Sequence, residues 1–434
     1  MTKYISCKSL ESSLFIAHDE LRSCCQRFFY NGKMRGDASL VKIEKDKLPT
    51  LEDISIARKK IFNEIQSQQS DSCTGCHQLY ETKEEPNFKS KLNILSIEQH
   101  SVCNLRCSYC SDIYYGGKRP KYDVLKFIKS LSEQGYFGNL KQVVWGGGEP
   151  TLDKSFEILL KEIHTYSNPN YYHRVFTNSI KYSEAIAKFL KNGLVKIVTS
   201  IDAGTEETFK KIRGRAKFNE VFENLNKYSS IGSHNITIKY ILTKGNSSEE
   251  ELQSFVSNCI KHNLQDCAYQ ISIDYKTEII EIDILKKISY LMGNLKKHYI
   301  KKIFCDDHIA RRFKSLSLDQ KKDLQQYLSE NNISDVIINN QNIKKINIFG
   351  IGEIARNIIN KTNFLDEFEN VELYDSDIKK IGSKVNKYTI QEPLHINKNN
   401  YKILILTAET FNDIYDNLIK SNTDPRRIIT GLVI

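Results

Sequence analysis

The stretch SVCNLRCSYC, residues 101–110, places three cysteines at Cys103, Cys107 and Cys110. A thiolate is a soft metal ligand, and the spacing C-x3-C-x2-C puts three of them on one short loop. Three thiolates satisfy three irons of a [4Fe–4S] cage, which ordinarily takes four cysteines. The iron left over is free to bind a second molecule, much as a catalytic zinc keeps one coordination position open. A zinc site completed by a fourth group such as His100 is the competing reading.

Five further cysteines precede this loop: Cys7, Cys24, Cys25, Cys73 and Cys76. The pair in SCTGCHQL, Cys73 and Cys76, is a knuckle suited to one corner of a tetrahedral or iron–sulfur site. Cys7, Cys25 (or its neighbour Cys24), Cys73 and Cys76 complete a set of four, closed where the set at 103–110 is open. A second [4Fe–4S] cluster, a structural zinc and free thiols are the alternatives, with His18 and His77 as substitute ligands. Cys259, Cys267 and Cys305 stand alone in apolar or helical contexts and are assigned no function. Of these, Cys267 lies just before a predicted strand, where a cysteine would stand near a barrel mouth.

Eleven cysteines, eight of them within the first 110 residues, point to metal or redox chemistry rather than to structural disulfides. The start, MTKYISCKSLESSLFIAHDE, has no long apolar region and no small-residue cleavage site, so no signal peptide is read and the cytoplasm is the expected compartment. No apolar run reaches the roughly 18 residues of a membrane span. The net charge of +10 is spread among interspersed acids without an arginine-rich stripe, and nucleic-acid binding is not expected.

The elements that must position these thiols follow from periodicity. Residues 1–90 are irregular apart from a helical stretch at LEDISIARKKIFNEIQ, and read as a cysteine-rich module. Residues 91–280 alternate apolar strands (LNILSIE, LKQVVWG, YHRVFTN, VKIVTSID, ITIKYILT, YQISIDY) with amphipathic helical segments. That alternation predicts parallel β/α units, and six of them predict a partial (β/α)6 barrel within an α/β chain. Chemistry in such folds gathers beyond the carboxyl ends of the strands, and Cys103 follows the first strand. Residues 281–340 read as a helical linker or packing segment, and residues 343–434 as a small Rossmann-like domain.

With CNLRCSYC after the first strand, and the aromatic Tyr109 before the last cysteine, the chain resembles the radical S-adenosylmethionine (SAM) superfamily over about residues 91–275. The resemblance implies that the open iron binds the amino and carboxylate groups of SAM. It also implies reductive cleavage to methionine and a 5′-deoxyadenosyl radical, which abstracts a substrate hydrogen. By position, Gly147, Gly148 and Glu149 match the family's GGE motif, whose backbone engages the SAM amino group. A P-loop would need a Lys-Ser/Thr pair where Pro150 and Thr151 stand. Asn178 ends the third strand, Ser200 and Asp202 match positions near the SAM ribose, and Lys239 is a further candidate on the fifth strand. Arg213 resembles the arginine that meets the SAM carboxylate. Its other reading is a helix C-terminal charge before Gly214. The cysteines before the barrel resemble the auxiliary cluster modules of SPASM and twitch type, although those usually follow the barrel.

In the last region INIFGIGEIA reads G-x-G-x-x-A at Gly350, Gly352 and Ala355, and VELYDSD supplies Asp375 and Asp377 after a second strand. It resembles the small nucleotide-binding-like domain of some bacterial sugar acyltransferases, which implies an anionic nucleotide ligand or a docking role. Together these features lead to a radical SAM enzyme acting on a small molecule, with a nucleotide-linked or surface-glycan sugar as the leading class and a flavodoxin or ferredoxin as reductant. A peptide or protein maturase and a metal-stabilised binding protein without catalysis are the alternatives.

Overall fold

The computed structural model describes residues 3–44, 47–89, 91–110, 116–167, 170–276, 279–306, 309, 316–331, 337–338, 343–352, 355–356, 359–360, 365–366, 368–407, 410–429 and 432–433. Two compact units are present. One comprises Met1–Ile201 with Phe209–Thr237, and the other comprises Asp202–Thr208 with Ile238–Ile434.

In the first unit, the strands Ile94–Ile97, Gln142–Trp145, Tyr172–Phe176 and Val195–Ser200 pair in parallel in chain order. Leu95, Val143, Val175 and Ile197 are fully buried on them, as a sheet covered on its faces requires. The helix Val124–Glu133 shows why its segment is helical. Val124, Phe127, Ile128 and Leu131 form one buried stripe, and Asp123 accepts a hydrogen bond from Lys126 N at the N-cap. Helices Phe156–Tyr166 and Glu184–Lys191 follow the second and third strands in the same way.

The amino-terminal region adds to this sheet. Strand Ser13–Ile16 pairs in parallel with Ile94–Ile97, from Ser13 against Ile94 to Ile16 against Ile97. It turns into the antiparallel strand Glu20–Arg22, which pairs in turn with Ser39–Lys42. Helix Leu51–Gln66, closed by a Thr50–Asp53 capping box, carries Arg58 on its buried face. The Arg58 guanidinium donates to Ser13 O at 2.7 Å, Tyr136 Oη at 2.9 Å and Phe88 O at 3.3 Å.

In the second unit, the parallel strand Ile303–Cys305 pairs with Ala268–Ile273. It is a seventh strand in the β/α series, inside a segment expected to be wholly helical. Burial of Ile303 and Phe304 on both faces explains it. Helices Ile282–Lys297 and Leu318–Glu330 occupy the rest of that segment. The carboxy-terminal sheet has six strands centred on Lys345–Phe349, flanked in parallel by Asn370–Tyr374 and Lys402–Ile405. Ile346, Ile348, Leu373 and Leu404 form its core. From residue 94 to 273 all six expected strands are present, and the chain is α/β with parallel sheets. Among the described residues no helix is long and apolar enough to cross a membrane.

Candidate metal and cofactor site

The loop bearing Cys103, Cys107 and Cys110 is held from two sides by backbone. On one side, Arg106 N donates to Arg213 O at 2.9 Å and Ser108 N to Ile212 O at 2.8 Å. These acceptors end the helix Glu206–Arg213, and Gly214 follows at φ +78°. A Cβ on Gly214 would stand 2.7 Å from both Cβ and O of Arg106, so the close approach needs glycine. On the other side, Gly148 N donates to His100 O at 2.9 Å and Glu149 N to Val102 O at 2.8 Å. A Cβ on Gly148 would meet Val102 O at 2.2 Å. The glycine run is thus the surface on which the residues leading into Cys103 lie.

Glu149 is buried and joins two strand ends. Its carboxylate accepts from Thr151 Oγ1 at 2.7 Å, Thr151 N at 3.2 Å, Thr177 Oγ1 at 2.8 Å and Asn178 N at 2.7 Å. Desolvation raises its pKa against these four donors. Asn178, so placed, donates from Nδ2 to Asn104 Oδ1 at 2.6 Å and reaches Cys103 Sγ at 3.8 Å. Arg213 is buried with its guanidinium over the Tyr109 ring, 5.8 Å from the centroid, and donates to Tyr109 Oη. Arg213 ends its helix, and its guanidinium lies over Tyr109 of the cysteine loop. Among the sequence-expected residues, Gly148, Glu149, Asn178 and Arg213 gather around the three cysteines. The supporting Thr151, Thr177 and Asn104 carry no sequence signal of their own.

Ser200 ends its strand partly buried. Asp202, in the second unit, sits at φ +59° with its Oδ1 accepting from Ile241 N at 2.7 Å and its carbonyl from Asn246 Nδ2 at 2.9 Å. Its carboxylate therefore ties a loop to the fifth strand.

None of the three cysteines is in a disulfide, and all are partly exposed. Burial pushes the Cys103 thiol up, and the nearby charges of Glu149 and Cys107 add to it. Crowded thiols of raised pKa ionise when a metal takes the place of their protons. Among the described residues no three His, Cys, Asp or Glu side chains stand close enough to share one metal ion. The three thiols on this doubly held loop are the donor type that iron–sulfur clusters take.

The amino-terminal set divides Cys24 from Cys25. Cys7, Cys24 and Cys73 each pack against the cluster of Leu10, Phe62 and Phe88. Cys76 joins through the turn in which its N donates to Cys73 O at 2.9 Å. The Cys73 thiol is pushed up to about 12, first by burial and then by Cys24. Cys25 is exposed and does not join that cluster among the described residues. Of the two adjacent cysteines, it is Cys24 that packs on the same apolar cluster as Cys7 and Cys73. Two adjacent cysteines offer no sequence signal to separate them.

In the carboxy-terminal sheet, Gly350 N donates to Tyr374 O at 3.0 Å, and a Cβ on Gly352 would meet nothing within 4 Å. Asp375 is buried, paired with Lys380 Nζ at 2.9 Å, and accepts from Asp377 N at 2.9 Å.

Residues 97–256 match the family described as the radical SAM superfamily. The GTP 3′,8-cyclase of Haemophilus influenzae is 27% identical over 172 residues, covering 39% of this chain and 50% of that protein. The GTP 3′,8-cyclase of Clostridium botulinum strain Okra is 29% identical over 176 residues, covering 38% and 52%. The chain thus spans about half the length of the curated relatives it matches. Among solved structures, Streptococcus suis SuiB is similar at TM-score 0.41 and 14% identity, covering 65% of this chain and 61% of that one. The anSMEcpe structure with bound AdoMet is similar at TM-score 0.35 and 20% identity, covering 48% and 59%.

Proposed function

We propose that this chain, whose residues 97–256 match the radical SAM superfamily, is an enzyme that cleaves SAM reductively and removes a hydrogen atom from a small-molecule substrate, with a nucleotide-linked or surface-glycan sugar as the class. The observation that carries the reading is the three-thiol loop clamped between the Gly148–Glu149 turn and the end of helix Glu206–Arg213. When bound, the cluster and SAM supply a 5′-deoxyadenosyl radical for that abstraction. Cys103, Cys107 and Cys110 would hold three irons. Glu149, through Asn178 N, fixes the side chain that faces Cys103. Arg213, buried beside Tyr109, is the cation at hand for a carboxylate. Its short helix brings that charge to the loop. A flavodoxin or ferredoxin would supply the electron. The sugar class rests on the carboxy-terminal domain, whose glycine turn and buried Asp375 suit a nucleotide.

A second [4Fe–4S] cluster on Cys7, Cys24, Cys73 and Cys76 belongs to the same proposal, supported by the shared packing of three of these thiols. Four protein ligands would leave it no open iron, so its roles reduce to electron relay and structure.

One set of anaerobically reconstituted proteins tests both parts. Wild type should carry about eight irons, and a Cys103/Cys107/Cys110→Ala triple variant about four, with no 5′-deoxyadenosine formed from SAM and dithionite. Cys24→Ser should lower the iron content, whereas Cys25→Ser should not. Zinc without iron in wild type, or 5′-deoxyadenosine formation surviving the triple substitution, would overturn the reading.

A further inference from the structure

Strands Ile236–Leu242 and Ala268–Ile273 are neighbours, with their residues from Ile238 onward in the second unit. Tyr240 and Tyr269 both pack on Phe255 of helix Glu249–Lys261, at ring separations of 4.7 and 6.3 Å. Side chains alternate along a strand, so Lys239, Gln270 and Ser272 occupy the opposite face, away from that helix. There they meet Asp306, which follows the seventh strand. Lys239 Nζ lies 3.5 Å from Asp306 Oδ2, and Ser272 Oγ donates to the same oxygen. Asp306 and Ser272 are 4% and 1% exposed, while the Lys239 side chain keeps 19% of its surface open. Beside them Gln270 is 7% exposed, and its side-chain oxygen is buried with no hydrogen-bond partner among the described residues.

An unpaired buried amide oxygen costs free energy, and a strand this apolar offers easier residues for the position. A partner that arrives later accounts for its presence. That partner must donate a hydrogen bond to Gln270. It must also be neutral, because Lys239 and Asp306 already cancel each other's charge, and a phosphate or carboxylate there would have to break their pair. Acceptor, anion and partly open cation stand side by side, which suits adjacent hydroxyl groups. Each hydroxyl both donates and accepts.

We infer that Lys239, Gln270, Ser272 and Asp306 form a subsite for the ring hydroxyls of a sugar substrate, an assignment that rests on the proposed radical SAM activity. Gln270 accepts from one hydroxyl, and the Lys239 ammonium donates to its neighbour.

The test compares reconstituted wild type with Gln270→Met, which keeps the volume and removes the amide, and with Ser272→Ala, which leaves the Lys239–Asp306 pair in place. Three readouts are used: the ligand-free Tm, SAM affinity by equilibrium dialysis, and the thermal shift and extra 5′-deoxyadenosine produced by UDP-, GDP- and dTDP-hexoses. In wild type at least one hexose nucleotide should shift Tm and stimulate 5′-deoxyadenosine. Gln270→Met should melt about 2 °C or more above wild type. It should bind SAM as wild type does and need about tenfold more sugar nucleotide for the same response. Ser272→Ala should weaken the sugar response as well. A lower Tm in Gln270→Met would make the amide a structural partner, and a tenfold loss of SAM affinity would give the face to the cofactor. Either overturns the assignment, as does the absence of any hexose response in wild type or stimulation by peptides alone. Absence of 5′-deoxyadenosine from every protein, with or without sugar, would instead remove the radical chemistry, and the Tm comparison would still be readable.

Discussion

His173 shows how tightly a single side chain can be specified in the first unit. It is fully buried on the third strand; Trp145 Nε1 donates to its Nδ1 at 3.1 Å, and its Nε2 lies 3.0 Å from Tyr171 Oη. The Trp145 donor makes Nδ1 the acceptor and leaves the proton on Nε2, so the ring is neutral. Burial lowers its pKa to about 3. A histidine held below its unfolded value contributes stability that is complete above about pH 6.5 and is lost as pH falls toward the folded value. Between pH 6.5 and pH 5 the loss is about 2 kcal/mol. Urea unfolding followed by Trp145, the single tryptophan, should show it. His173→Asn should lower stability at pH 7.5 and flatten the acid dependence. An unchanged slope would place the acid sensitivity elsewhere.

At the scale of elements, the cysteine loop depends on two backbone approaches rather than on side-chain contacts. Gly214→Ala puts a methyl group against Arg106 backbone at a positive φ, and should cost about 1–3 kcal/mol. The damage should concentrate on the metal. Iron at the Cys103 loop should fall well below four per chain, while far-UV dichroism stays as in wild type. Full iron occupancy in this variant would mean that the loop finds its geometry without the clamp. The alternating strands and helices from 94 to 273 were legible in the sequence because each apolar period is local. So were the three cysteines and the GGE turn, whose spacing is itself the signal. Three features were not. Ser13–Ile16 is a short all-buried strand whose partner lies far along the chain, and no period marks it. Ile303–Cys305 is only three residues long, between predicted helices. The packing of Cys24, rather than Cys25, against Phe62 and Phe88 is set by tertiary contacts that no spacing rule contains.

Across the first unit as a whole, Arg58 is the joint between amino-terminal residues and the β/α series. One buried guanidinium, with no carboxylate partner among the described residues, serves Ser13 O, Phe88 O and Tyr136 Oη. Burial lowers its pKa, though it stays charged. Arg58→Met would leave two carbonyls and a hydroxyl without this donor, and should cost about 2–4 kcal/mol. Because Ser13 lies on the strand next to Ile94–Ile97, the Trp145-monitored urea midpoint should fall with it. A midpoint within error of wild type would show that strand pairing alone secures the amino-terminal residues.

The parallel pairing of Ser13–Ile16 with Ile94–Ile97 also sets a clock. Ser13 and Ile94 are 81 positions apart in the chain, the difference between 94 and 13. At a synthesis rate of about 5–20 residues per second, the first strand waits roughly 4–16 s for its partner to be made. Through that interval its apolar edge is unpaired, and the thiols of Cys7, Cys24 and Cys25 are already in the cell with nothing folded around them. Whatever protects these nascent thiols from oxidants through that interval must act on an unfolded chain.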